Sequence, residues 1–230
     1  MKKIKLYSEA VYIIALLLLP LAVAFLAAVD FGVSVIVAPA YIMSQKFTIF
    51  TFGQWTYIIQ GFLFVVFCIV VKRFKVVYLA SFLCCFIYGN VLDMWRRVIP
   101  MFNPAITPVG SMPLEVRIIL FAIGVLLTGL SVMLFFKSYL YPQVCDLFVK
   151  GIAQRYNLNQ VKFKRVFDLC CLLISVILSV VFFKSFVGVK WGTVVIALTT
   201  GTLIGMFSKI YDKFFETVPL FPKLEKQFVF

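Results

Sequence analysis

The sequence predicts an all-α polytopic membrane protein: six transmembrane helices built as a 3+3 inverted-topology repeat, with broken or re-entrant segments between them. Three observations lead there. Of the 230 residues, 63% are hydrophobic and 13% charged, against about 45–50% and about 25% in a soluble domain. Several apolar runs reach the ~20 residues that cross ~30 Å of hydrocarbon at ~1.5 Å per residue. Landmarks of the first half then recur, in order, in the second.

The first span is 8–29. Its basic start and the Ala-Val-Ala at 22–24 imitate a secretory signal, but the apolar run continues to Val29, so it reads as a retained span. The next stretch, 31–52, is apolar yet punctuated by Gly32, Ser34, Pro39, Ser44, Gln45 and Lys46. That pattern predicts a broken or re-entrant helix, which is tolerated only where protein or water satisfies the freed backbone groups. Spans follow at 54–71 and 76–95, completing a first repeat over 1–99.

The segment "PMFNPAITPVGSMP" at 100–113 holds four of the nine prolines and no charge, and reads as an extracytoplasmic joint. The second repeat, 114–211, contains spans at 115–136, 166–186 and 191–211. Within it, 141–165 places Val144, Leu147, Phe148 and Ile152 on one helical face, with Gln143, Asp146, Lys150, Gln154 and Arg155 away from it. A basic amphipathic helix of this kind is expected to lie flat in the interface. The alternative is a helix that dips into the bundle as a lining element. Residues 212–230 form a short tail. Trp55, Trp95 and Trp191 fall near span ends, as interface anchors do.

The net charge of +13 would suggest nucleic acid in a soluble protein. Here the distribution explains it better. With the N-terminus inside, 16 of the 22 basic residues fall on the cytoplasmic side, among them Lys2, Arg73, Lys137, Lys164, Lys223 and Lys226. Six remain outside: Lys46, Arg96, Arg97, Arg117, Lys184 and Lys190. The asymmetry predicts both termini in the cytoplasm and no nucleic-acid partner. A seventh crossing in 31–52 would spoil it.

The repeat rests on three landmarks. "FGVSVIVAP" at 31–39 is echoed by "TGLSVMLFF" at 128–136, aligning Gly32 with Gly129 and Ser34 with Ser131. Gln60 in "YIIQGF" then aligns with Asp168 in "RVFDLC", and Gly89 in "IYGN" with Gly201 in "LTTGT". The offset grows between spans, where insertions are tolerated. With three crossings in each half, the second half stands upside down relative to the first, as in many secondary transporters.

"FGVSVIVAPAYIM", "YGNVLD" and "GVKWGTVVIALTTG" together resemble the YczE/YitT-like bacterial membrane proteins over about 28–210. The resemblance implies two similar halves and a bacterial plasma-membrane location, and supplies almost no activity. It also implies a Gly-Val-Gly-x-Gly-Thr stretch, which here reads Gly188-Val-Lys190-Trp191-Gly192-Thr193. A Gly-Pro-x-Asp turn in each half is reduced to Pro142 and Asp146.

Polar groups within spans are the candidates for chemistry, since a central charge costs about 2.5–3.5 kcal/mol on insertion scales. Asp93 stands three and four residues before Arg96 and Arg97, so it is either their ion-pair partner or a ligand group with Asn90. Asp168 stands near Lys164 and Arg165, with the same choice, and pairs across the repeat with Gln60. Ser34, Ser131 and Thr200 complete the substrate-binding candidates; such hydroxyls also bond to their own helix. Gly32, Pro39, Gly89, Gly129 and Gly201 are candidate helix breaks or close-packing points. Ala24 and Ala28 stand at helix-dimer spacing in the first span.

With no histidine and no base beside a nucleophile, an enzyme is not expected. The six cysteines, four of them in two adjacent pairs, lack zinc spacing and read as packing residues, so neither metal nor cofactor is expected. The expectation is a small permease for a small-molecule solute in the lipid bilayer, with a homo-oligomer or an ATPase module as partner. A binding subunit of an ATP-driven uptake complex, docking through the small residues of the first span, is the alternative; a membrane scaffold is a third.

Overall fold

The computed structural model describes residues 3–72 and 74–222; Lys2, Arg73, Lys223 and Lys226 of the basic set lie outside them. The chain forms β1 (Ile4–Tyr7), α1 (Ser8–Val29), α2 (Ala38–Lys46), α3 (Phe52–Val71) and α4 (Leu79–Val98). It continues with α5 (Leu114–Lys137), α6 (Val144–Arg155), α7 (Gln160–Phe183), α8 (Trp191–Phe214) and β2 (Phe215–Val218). Short 3-10 turns precede and follow α4. Six helices are long and apolar enough to cross a membrane. The order long, short, long, long occurs twice.

The ends of these elements follow from local chemistry. Thr51 starts α3 through a capping box with Gln54, and Asn159 caps α7 by accepting from the Lys162 amide. Pro39 stands in the first turn of α2, where its missing N–H costs nothing. The stretch 31–52 therefore holds one short helix rather than a seventh span.

The two helices richest in buried residues, α1 and α5, pack on each other at the centre. Against this pair, α4 packs on α1 and α8 on α5. The short helices bridge the flanks: α2 touches both α3 and α7, and so does α6. They do so at opposite ends. Phe47, just after α2, meets Phe182 near the end of α7, whereas Phe148 of α6 meets Phe163 and Phe167 near its start.

At one end of the bundle β1 and β2 pair in parallel, Ile4 opposite Phe215, which brings both ends of the described chain together. Glu9 reinforces this strand end, accepting from the backbone N–H groups of Leu220 and Phe221 and from the Tyr139 hydroxyl. At the far end, the loop after α1 is stitched to the loop before α8 and to its first turn: Val33 N donates to Gly188 O (3.0 Å) and Gly192 N to Phe31 O (2.8 Å). Lys190, standing where the family resemblance implies a glycine, pairs with Asp30 at 2.7 Å across this seam.

Three sequence expectations change here. Gly32 lies in the loop after α1 while Gly129 lies inside α5, so the Gly-x-Ser-Val echo joins unlike places. Gln60 is the ninth residue of α3 and Asp168 the ninth of α7, while Gly89 is the eleventh of α4 and Gly201 the eleventh of α8. Ala24 and Ala28 are buried in the centre of the bundle and offer no docking face. Nor does α6 lie flat along the bundle, because Val144, Cys145, Leu147, Val149, Ile152 and Ala153 are all buried. It is inserted.

Candidate functional site

The path of the chain around α6 builds the site. After α5 the backbone turns back along α1 in extended form. Tyr139 N donates to Ser8 Oγ, and the Tyr12 hydroxyl, one turn further along α1, donates to Tyr141 O. It arrives at Gln143, level with the middle of α3. From there α6 runs back to the strand end, where the hydroxyl of Tyr156, its C-terminal flank, donates to Val70 O. The N-terminus of α6, with its positive dipole end, is thus held midway along α3 and α4; Asp146 N and Leu147 N close its first turn on Gln143 O.

Two amides meet there. Gln60 Nε2 donates to Gln143 Oε1 at 3.1 Å, and the Cys85 thiol donates to Gln60 Oε1 at 2.8 Å. The Val144 N–H points at the Cys85 sulfur, 3.4 Å away. Gln60 is 3% exposed and Gln143 6%, yet Gln143 Nε2 has no hydrogen-bond partner. The hydroxyl of the fully buried Tyr88 likewise makes no hydrogen bond of ordinary geometry, although Gln143 is its polar neighbour. Unmade bonds on buried groups cost about 1–3 kcal/mol each, so Gln143 and Tyr88, which have only each other as further polar partners, form a weakly satisfied polar cluster beside a helix N-terminus.

A second polar region lies at the far end, where α2, α3 and α4 come together. Asp93 accepts from Thr51 Oγ1 and, at 2.9 Å, from Gly53 N. It therefore caps the N-terminus of α3 and makes no ion pair with Arg96 or Arg97, correcting the i+3/i+4 expectation. A recess of about 390 Å³ beside it is lined by Gln54, Asn90 and Arg97, and another of about 270 Å³ by Ser44, Thr48, Arg96 and Arg97.

The other candidates are placed elsewhere. Asp168 belongs to an ion-pair cluster: Lys164 Nζ stands 3.7 Å from both Asp168 Oδ1 and Asp146 Oδ1, tying α6 to α7. Burial raises the Asp146 carboxyl above its ordinary value while Lys164 opposes the shift. Asn90 donates to Phe86 O on its own helix, as Ser131 does to Leu127 O and Thr200 to Ile196 O. Ser34 is partly exposed, and its carbonyl accepts from Val37 and Ala38 at the start of α2. Of the expected site residues, only Gln60 reaches the central cluster. Gln143 and Cys85 complete it, though the pattern marked them as a polar face and a packing residue. Among the described residues no group of histidine, cysteine and carboxylate side chains could hold a metal ion.

The glycines divide. At Gly32, φ is +107°, and a Cβ would lie 2.4 Å from Thr193 Oγ1. Gly53 and Gly89 let α3 and α4 touch backbone to backbone, and Gly129 takes Leu203 of α8. Gly201 has nothing within 4 Å, so it neither breaks α8 nor packs it.

A family of unknown function, DUF6198, matches residues 6–209. The chain belongs to this family. The DUF6198 match takes in all eight helices but for the last residues of α8, and with them both polar regions. No curated protein and no solved structure matches the chain.

Proposed function

We propose that the protein is a small permease of the bacterial plasma membrane, with both termini cytoplasmic and two halves of opposite orientation. The recurring order of long and short helices supports the inverted repeat, as do the matched places of Gln60 with Asp168 and of Gly89 with Gly201. Single-helix entry by α6 is the observation that carries the transport reading. A half-length helix ending inside an apolar bundle exposes backbone polar groups that need a partner. Transporters with inverted repeats use such half-helix ends to hold solutes near the midplane. The Gln60–Gln143 pair, the Cys85 thiol and the N-terminus of α6 form the solute site. They carry no full charge, which favours a small polar solute held by hydrogen bonds.

The test is a thermal-shift screen of small metabolites on the detergent-solubilised protein, with Gln143→Leu alongside, followed by uptake into proteoliposomes. The expected result is a solute that stabilises the wild type, fails to stabilise the variant, and is accumulated. A screen in which nothing binds and nothing is taken up sinks the reading. The surface left for an ATPase module or a second copy is the exposed face of α7 and α8, whose apolar stretches are only 11% buried.

A further inference from the structure

The recess at the far end carries an inference separate from the buried amide pair, and one that stands whether or not the protein transports. Its floor is formed by Arg96 and Arg97 at the end of α4, and its wall by Ser44, Gln45, Thr48 and Asn103. A cation at the C-terminal end of a helix is favoured by the dipole, which accounts for an arginine at the surface. It does not account for Arg96. Its Nε is buried without a hydrogen-bond partner, and neither arginine forms an ion pair among the described residues. The nearby carboxylate, Asp93, is committed to Thr51 and Gly53 at the start of α3. A half-buried guanidinium with no carboxylate in direct contact is costly, because its desolvation is repaid only in part by Asp93 at longer range.

We propose that this recess binds a singly charged oxyanion, either the carboxylate of a small soluble acid or the phosphodiester of a lipid headgroup. Geometry and charge both select that class. Arginine grips a carboxylate or phosphate with its planar fork through two parallel hydrogen bonds, and with Nε sequestered the terminal nitrogens of Arg96 and Arg97 are the ones that face the recess. The Phe52 ring, 5.4 Å from the Arg96 guanidinium carbon, steadies the fork from below. Two guanidinium groups and one carboxylate line the recess, leaving one net positive charge for the ligand to neutralise. The Thr48 hydroxyl and the Asn103 amide supply further donors, while the Ser44 hydroxyl is engaged with Tyr41 O. The cavity, about 270 Å³, admits a small acid but not a large polyanion.

The test uses the full chain, delipidated in a non-ionic detergent, in titration calorimetry. Sodium acetate and short-chain phosphatidylglycerol are the two probes, and choline chloride at matched ionic strength is the control. Saturable binding of acetate assigns the site to soluble acids; binding of phosphatidylglycerol alone assigns it to a lipid. Either supports the proposal if Arg96→Gln weakens it at least tenfold and Arg96→Lys, which keeps the charge but loses the fork, weakens it less. Because Arg96 packs on Phe52, Arg97→Gln is measured in parallel, with an expected loss of about fivefold. The proposal is overturned if neither anion binds above the chloride control. It is also overturned if the folded arginine variants bind as the wild type does.

Discussion

The helix pairs α3/α4 and α7/α8 occupy the same places in the two halves of the chain, yet only the first is a packed unit. α3 and α4 approach until Gly53 and Gly89 meet through their backbones, and Phe82 fills the space left by Gly61. α7 and α8 hardly touch; α7 is held by the short helices α2 and α6, and α8 by α5. The difference lies in single residues. Gly89 finds a glycine opposite it, whereas Gly201, at the same place in α8, faces open space. Gln60 is buried against Gln143, whereas Asp168, at the same place in α7, is half-exposed beside Lys164. A shared order of elements does not bring shared packing. Both polar regions are built on the tightly packed pair, which can hold side chains in fixed positions.

The largest effect that could break this comparison is expected at Gly53. A Cβ there would lie 1.9 Å from Gly89 O, and backbone cannot step aside as a flexible side chain can. Gly53→Ala is expected to cost more than about 3 kcal/mol in reversible unfolding, or to leave no folded protein. Next comes Gln143→Leu, which strands the Gln60 amide in the core and should cost about 1–3 kcal/mol. An unchanged melting temperature there would mean that the amide pair contributes nothing to the packed half.

Lys190→Ala removes the Asp30 pair from the far-end seam. With both side chains about one-third exposed, the loss should not exceed about 1 kcal/mol. A larger loss, read from the same melts, would make the seam between the halves a main support of the fold.

A smaller effect concerns pH. The Asp146 carboxyl is raised by burial, so the folded protein holds its proton more tightly than the unfolded chain does. Stability from this group is full below the ordinary value of 3.8 and is lost as pH rises through the raised folded value. Lys164, Asp168 and Cys145 face the same carboxyl and titrate with it or oppose it. The difference in melting temperature between wild type and Asp146→Asn should therefore shift against the wild type as pH rises across that window. A pH-independent difference would contradict the inserted placement of α6.

Gly201→Ala should change least, with a gain of up to about 0.5–1 kcal/mol from helix propensity alone. If it destabilises as Gly53→Ala does, this face of α8 is packed in the working protein, and the contrast between the halves disappears.

The sequence by itself determined the class of protein and the positions of the six long helices. Apolar length and the scarcity of charge are properties of consecutive residues, and the bilayer reads them one span at a time. It also marked 31–52 and 141–165 as departures from simple spans, because glycine, proline and alternating polarity interrupt a helix locally. Tertiary structure decided what those departures become. An amphipathic helix such as α6 has a hydrophobic face whether it rests on lipid or on protein. Only the partners offered by α3, α4 and α7 draw it inward and set Gln143 beside Gln60. The same holds for Asp93, whose neighbours in sequence suggested Arg96 and Arg97. The start of α3, brought alongside by the glycine contact, offers backbone and hydroxyl donors with better geometry. Spacing along one helix names the residues that can meet. Which of them do is settled by competition with groups arriving from elsewhere in the chain.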